Sequence, residues 1–131
     1  MEKLNDVIEL GGRALLAALF IPAGISKISG YEGTQGYMEA MGVPGSLLPL
    51  VIIVELAGGI ALLLGLKTKW IALALAGFTV IAAVLFHYQP ADQIQMILFM
   101  KNIAVAGGLA LLIAIGGGKL SVDGYLNKST S

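Results

Sequence analysis

A bundle of four membrane-spanning helices, with both termini in the cytoplasm, is the fold class this sequence predicts for an all-α membrane protein. Three observations carry that prediction. Mean hydropathy is +0.89, and 57% of the 131 residues are hydrophobic while only 12% are charged, too few to coat a soluble globule. The apolar residues fall into four runs, each close to the ~20 residues needed to cross ~30 Å of hydrocarbon. The basic residues between those runs gather on one side, as the positive-inside rule requires of cytoplasmic segments.

The first span covers residues 7–28, with Arg13 inside it and Pro22 near its end. A secretory signal is the competing reading, but the leading segment is more acidic than basic, and no small-x-small cleavage site follows. A helix confined between Arg13 and Lys27 would reach only about 20 Å, so Arg13 belongs within the span. Residues 29–46 form the outer loop, rich in Gly and without Lys or Arg. Tyr37, Met38 and Met41 can make one face of a short interfacial helix there; an ordinary mobile loop is the other reading.

The second span, residues 47–66, carries Pro49 in its first turn, where a missing donor is harmless, and a single carboxylate, Glu55. Lys67, Thr68 and Lys69 make a short basic turn. The third span, residues 70–87, is uncharged until His87, and Pro90 marks the break after it. The fourth, residues 95–116, contains Lys101 and Asn102 and stops at Gly116, Gly117 and Gly118. Lys3, Lys67, Lys69, Lys119 and Lys128 then share one side of the membrane, opposite the acidic loops and the boundary Lys27. AGGIALLLG at 57–65 echoes AGGLALLIA at 106–114. This reads either as a parallel repeat of two hairpins or as chance recurrence of small residues. In both cases Gly58, Gly59, Gly107 and Gly108 suit close helix packing.

An ionisable group in mid-span costs roughly 2.5–3.5 kcal/mol on insertion scales, so it faces the bundle interior and seeks a partner. Counted from the outer boundary at 1.5 Å per residue, Glu55 lies about 12 Å deep, Lys101 about 10 Å and Arg13 about 22 Å. Snorkelling returns roughly 5 Å to the arginine. Arg13, Glu55 and Lys101, supported by Asn102, are therefore expected to share a polar site, with Lys27 and His87 at its outer mouth. Two cations against one carboxylate leave room for an anion or a polarised carbonyl. The same charges also suit a structural clamp. A lone His87 reads first as an interfacial residue, with a proton-relay role as the alternative. It cannot hold a metal by itself, and no metal site is expected. Phe78, Phe86, Phe99, Met96 and Met100 read as packing or lipid-facing residues.

The chain has no cysteine, which removes disulfides, thiolate metal sites, iron–sulfur clusters and thiol relays. No covalently bound cofactor is expected. Eight acidic residues balance eight basic ones, so nucleic acid is excluded as a partner. The lipid bilayer is the partner the composition does demand.

Arg13, GISK at 24–27, GVP at 42–44, VELAGGIALLLG at 54–65, FH at 86–87 and FMKNIAVAGG at 99–108 together resemble the DoxX family of small four-helix membrane proteins, in its YqjF-like inner-membrane branch. The resemblance covers nearly the whole chain. It implies a single domain over residues 1–131 in the bacterial inner (plasma) membrane. It also implies an oxidoreductase component linked to quinone, with polar positions at Arg13, Lys27, Glu55, His87, Lys101 and Asn102. The expectation is a quinone or quinone-like molecule bound in the outer half of the bundle, where Arg13 and Lys101 polarise a carbonyl and Glu55 balances charge. A redox partner subunit or a second copy of the chain would complete it. The alternatives are a small anion or weak-acid carrier and a non-catalytic structural subunit of a membrane complex.

Overall fold

Each apolar run becomes one helix, because only a helix satisfies every backbone N–H and C=O within a single segment at membrane depth. The computed structural model describes residues 2–130, of which residues 3–127 include described side chains. Among them α1 (Glu2–Ser29), α3 (Leu48–Leu64), α4 (Thr68–Ala82) and α5 (Gln93–Ile115) form the bundle. Two further helices, α2 (Tyr31–Ala40) and α6 (Val122–Thr130), lie at its opposite ends. A 3-10 turn at Gly45–Leu47 extends α3 and a π-helical turn at Ala83–His87 extends α4, giving four segments long and apolar enough to cross a membrane.

The surface is that of a chain built for lipid. Leu15, Ile53, Ile81 and Leu111 all point outward and are exposed. The core is a narrow seam in which Phe20, Leu62, Leu75 and Leu109 meet. The helices pair as α1 with α3 and α4 with α5, and α3 meets α4 over a shorter stretch. Glycines set the approach: a Cβ on Gly59 would lie 2.8 Å from Ile21 of α1, and one on Gly58 would lie 3.0 Å from Leu75 of α4. The other expected pair packs differently. Gly107 faces open space, and Gly108 meets Leu16 only at an ordinary 3.6 Å.

The loop expected at 29–46 contains α2 as an ordered element. Met38 turns inward and is buried, while the Tyr37 ring stacks on Phe86 with centroids 5.7 Å apart. The turn of the other hairpin is set by Asp92, whose side chain accepts from the N–H groups of Ile94 at 3.0 Å and Gln95 at 3.2 Å and so caps α5.

At the α6 end, Gly65 ends α3 in the left-handed conformation at φ 72°, and Lys67 takes the same conformation at φ 49°. That tight turn leaves the last carbonyls of α3 and the first N–H groups of α4 without helical partners. Arg13 answers the first need. It is fully buried, and its guanidinium donates to Leu62 O at 3.1 Å, to Leu63 O at 2.8 Å and to Leu120 O. Asp123 answers the second, accepting from Lys67 N at 2.6 Å and Thr68 N at 2.7 Å, while its own N–H donates to Gly65 O at 2.9 Å. Ser121 in turn accepts from Gly124 N at 2.9 Å and caps α6.

Burial raises the Asp123 pKa, but hydrogen bonds from the Thr68 and Lys67 N–H groups, with the nearby Arg13 charge, outweigh it, and the net direction is downward. A carboxyl depressed in the folded state stabilises fully above its unfolded value of about 3.9 and loses that contribution as pH falls through the folded value. Asp123→Ala should therefore lower the melting temperature at pH 7, at a cost of about 1 kcal/mol. In thermal scans on detergent-purified protein, the gap to wild type should close below about pH 4.

Candidate functional site

At the other end of the bundle the four spans do not close completely. They leave a cavity of about 410 Å³ roofed by Thr34, Tyr37 and Met38 of α2. Each span supplies polar groups to its wall: Ser26 and Lys27 from α1, Glu55 from α3, Thr79 from α4 with His87 from the π-turn that continues it, and Lys101 and Asn102 from α5. The remainder of the wall is largely apolar, with Phe20, Phe78 and Phe86 as its rings. Small-molecule sites share this composition, a mostly apolar concavity of roughly 300–1,000 Å³ with a few converging polar groups.

Glu55 is buried, and Lys27 is its partner, with Nζ 2.9 Å from Oε1. The contact is an ion pair without hydrogen-bond alignment, so the carboxylate keeps capacity to accept from elsewhere. The sequence reading had paired Glu55 with Arg13 and Lys101. The structure sends Arg13 to the α6 end, because a side chain about 22 Å along its span from the α2 end is closer to the α6 end, and the last carbonyls of α3 lie there. Lys27, read as a boundary residue, instead reaches inward along the tightly packed α1–α3 pair. Lys101, expected to be buried, is exposed at the edge of the same cavity and forms no ion pair among the described residues, because its long stem carries the ammonium outward from its helix. The charge excess therefore survives with a different cation: Lys27 and Lys101 face one carboxylate.

Asn102 is buried and donates from Nδ2 to Thr79 O at 3.3 Å, which ties α5 to α4. The Thr79 hydroxyl, also buried, has no hydrogen-bond partner. Sequence reasoning passed over Thr79, although it is the one polar residue inside the apolar run 70–86. His87 sits eight residues beyond Thr79. In a regular α-helix the two would be about 80° out of register, but the π-turn at Ala83–His87 inserts an extra residue into the register, and both line the cavity. Such turns are frequent at functional sites. His87 Nδ1 lies 2.9 Å from Gln95 Oε1. An amide oxygen can only accept, so in the neutral ring Nδ1 carries the proton and Nε2 is the free acceptor. Phe78 and Phe86 are cavity walls, whereas Phe99 packs on Tyr88 at 5.4 Å.

The molecule is thus a small four-span membrane protein with a polar cavity in one half of its bundle. The DoxX family profile matches residues 8–88. Over 128 residues the chain is 52% identical to inner membrane protein YqjF of Escherichia coli (strain K12), covering 98% of each. It is 32% identical to inner membrane protein YphA of the same organism over 91% of this chain and 90% of that one. A third relative, 29% identical over 63% of each chain, carries the name "Putative oxidoreductase CatD" in Bacillus subtilis (strain 168). No solved structure matches. The chain belongs to the DoxX family, and it is a multi-pass inner-membrane protein.

Lys27 is half-buried and Glu55 buried, so removing the lysine strands a buried carboxylate, which is where most of the cost of breaking such pairs arises. Lys27→Met should lower the melting temperature by the equivalent of about 2 kcal/mol, and Lys27→Met with Glu55→Leu should recover most of it. Lys101→Met should leave the melting temperature near wild type. Thermal unfolding of the three variants checks the pairing.

Proposed function

We propose that this DoxX protein is a membrane oxidoreductase component that binds a quinone or quinone-like small molecule in the cavity beneath α2. The observation that carries the reading is the convergence of polar groups from all four spans on one cavity whose fixed charges sum to +1. Its polar capacity is also unspent. Thr79 has a buried hydroxyl without a partner, Lys101 an ammonium without an ion pair, and His87 a free ring nitrogen. A carbonyl-bearing ring fits that donor set. When bound, it would supply two-electron, two-proton acceptor chemistry.

In this reading the Lys101 ammonium and the Thr79 hydroxyl donate to a carbonyl oxygen, and the phenylalanine rings fix the plane of the ring. Glu55 balances charge and exchanges a proton with the cavity. His87, held by Gln95, passes protons between Nε2 and the α2 end. The named oxidoreductase among the relatives supports the class of chemistry. The basic residues Lys67, Lys69 and Lys119 at the α6 end support a cytoplasmic location for that end, with α2 outside. A redox partner subunit would supply or remove electrons, since no residue type here stores them.

The cationic excess also favours a second reading, a carrier for a small anion or weak acid. Flux of a weak acid into proteoliposomes distinguishes the two. For the first reading, a short-chain ubiquinone or menaquinone analogue should raise the melting temperature of the purified protein by several degrees, and Glu55→Gln should abolish the rise. The absence of a rise with either analogue would overturn it.

A further inference from the structure

A second cavity, of about 240 Å³, adjoins the first. It lies between the starting half of α3 and the last turns of α4, and its lining is almost wholly apolar. Five residues, Met38, Val51, Phe78, Ala82 and Phe86, line both cavities, so the two are separated by single side chains and not by a helix. On the far side, Leu50 and Ile81 are about three-fifths exposed, at 58% and 60%, and mark where the cleft meets the acyl chains. The cleft exists because α3 and α4 touch less than either touches its main partner. The paired glycines bring α3 close to its neighbours only further along, at Gly58 and Gly59.

We propose that this cleft holds the hydrocarbon tail of the molecule whose polar ring occupies the first cavity. The inference rests on the reading above and specifies its ligand class as an amphiphile, a carbonyl-bearing ring with an alkyl or isoprenyl chain. Such a ligand enters sideways from the bilayer between α3 and α4, and never crosses water. The flexible Met38 thioether and the Phe78 and Phe86 rings are the side chains that move to admit the ring. Met38 repacks readily, whereas Phe86 gives up its stack on Tyr37 to move and regains a fixed position once the ring is in place. A tail gains little hydrophobic free energy by exchanging acyl chains for an apolar cleft. The distinguishing property is accordingly where the tail lies, not how tightly the ligand binds.

The test uses a decyl-tailed benzoquinone bearing a diazirine on its tail, photoactivated with the full-length protein in nanodiscs, with labelled peptides mapped by mass spectrometry. Labels should concentrate several-fold on residues 47–54 and 81–85 over the lipid faces of α1 and α5. Excess unlabelled decyl quinone should compete them away. Leu50→Trp at the rim and Val54→Phe deeper in should each displace the label. If Val54→Phe does not fold, the exposed Leu50 position still decides. Labels spread evenly, concentrated on α1 and α5, or unmoved by Leu50→Trp overturn the tail assignment while the ring reading stands on its own thermal test. A melting temperature unmoved by both short-chain analogues overturns both.

Discussion

A charge buried among acyl chains has no water to turn to, so Arg13 and Glu55, the buried charges among the described residues of this bundle, find their partners in the protein. With four helices and a seam of core residues only one or two side chains deep, partners are scarce. The two ends meet the requirement differently. At the α6 end, the buried Arg13 guanidinium donates from both terminal nitrogens to carbonyls at the end of α3 and to Leu120 O. At the α2 end, Lys27 and Glu55 neutralise each other, while Lys101, Thr79 and His87 face a cavity. Each end keeps buried polar atoms without a hydrogen-bond partner, Arg13 Nε and Thr68 Oγ1 at one and Glu55 Oε1 and Thr79 Oγ1 at the other, but only the α2 end surrounds them with a polar cavity. That division is the physical basis for placing function at the α2 end.

The asymmetry follows from helix ends as much as from charges. A helix C-terminus is a cluster of free carbonyls and a helix N-terminus a cluster of free N–H groups. The turn joining α3 to α4 presents both within a few residues. Arg13 and Asp123 are the complementary pair for those two clusters, and they draw α1 and α6 onto the same turn. At the α2 end the ties to the ends of α3 and α4 are neutral and fewer, from Gln35 to Gly45 O and from Tyr37 to Phe86 O, where Pro44 and Gly45 lead into a 3-10 turn and the π-turn loosens the ladder. Both cavities lie at that end.

Much of this was legible in the sequence. The spans could be read because hydropathy over ~20 residues averages out local ambiguity, and Glu55, Lys101, Asn102 and His87 could be placed in one half of the bundle by counting residues. Counting gives depth but not azimuth or reach. Arg13 was assigned to the wrong end because its side chain can snorkel either way, and the carbonyls that attract it exist only once the turn at Gly65 has formed. Lys27 was discounted because boundary lysines usually point to water. Thr79 was missed because a hydroxyl can bond back to its own helix and so leaves little trace in hydropathy. The cleft between α3 and α4 depends on how side chains interlock across helices, which no single segment encodes.

The clamp at Arg13 also makes the first helix depend on a distant part of the chain. The guanidinium sits on the first helix, yet one of its acceptors, Leu120 O, lies 107 positions further along the chain. Without the segment that carries Leu120, the guanidinium keeps only its two acceptors on α3. The α3–α4 turn likewise waits for Asp123 to cap it. A chain cut before Leu120 and Asp123 would therefore leave Arg13 short of one acceptor and the α3–α4 turn without its cap.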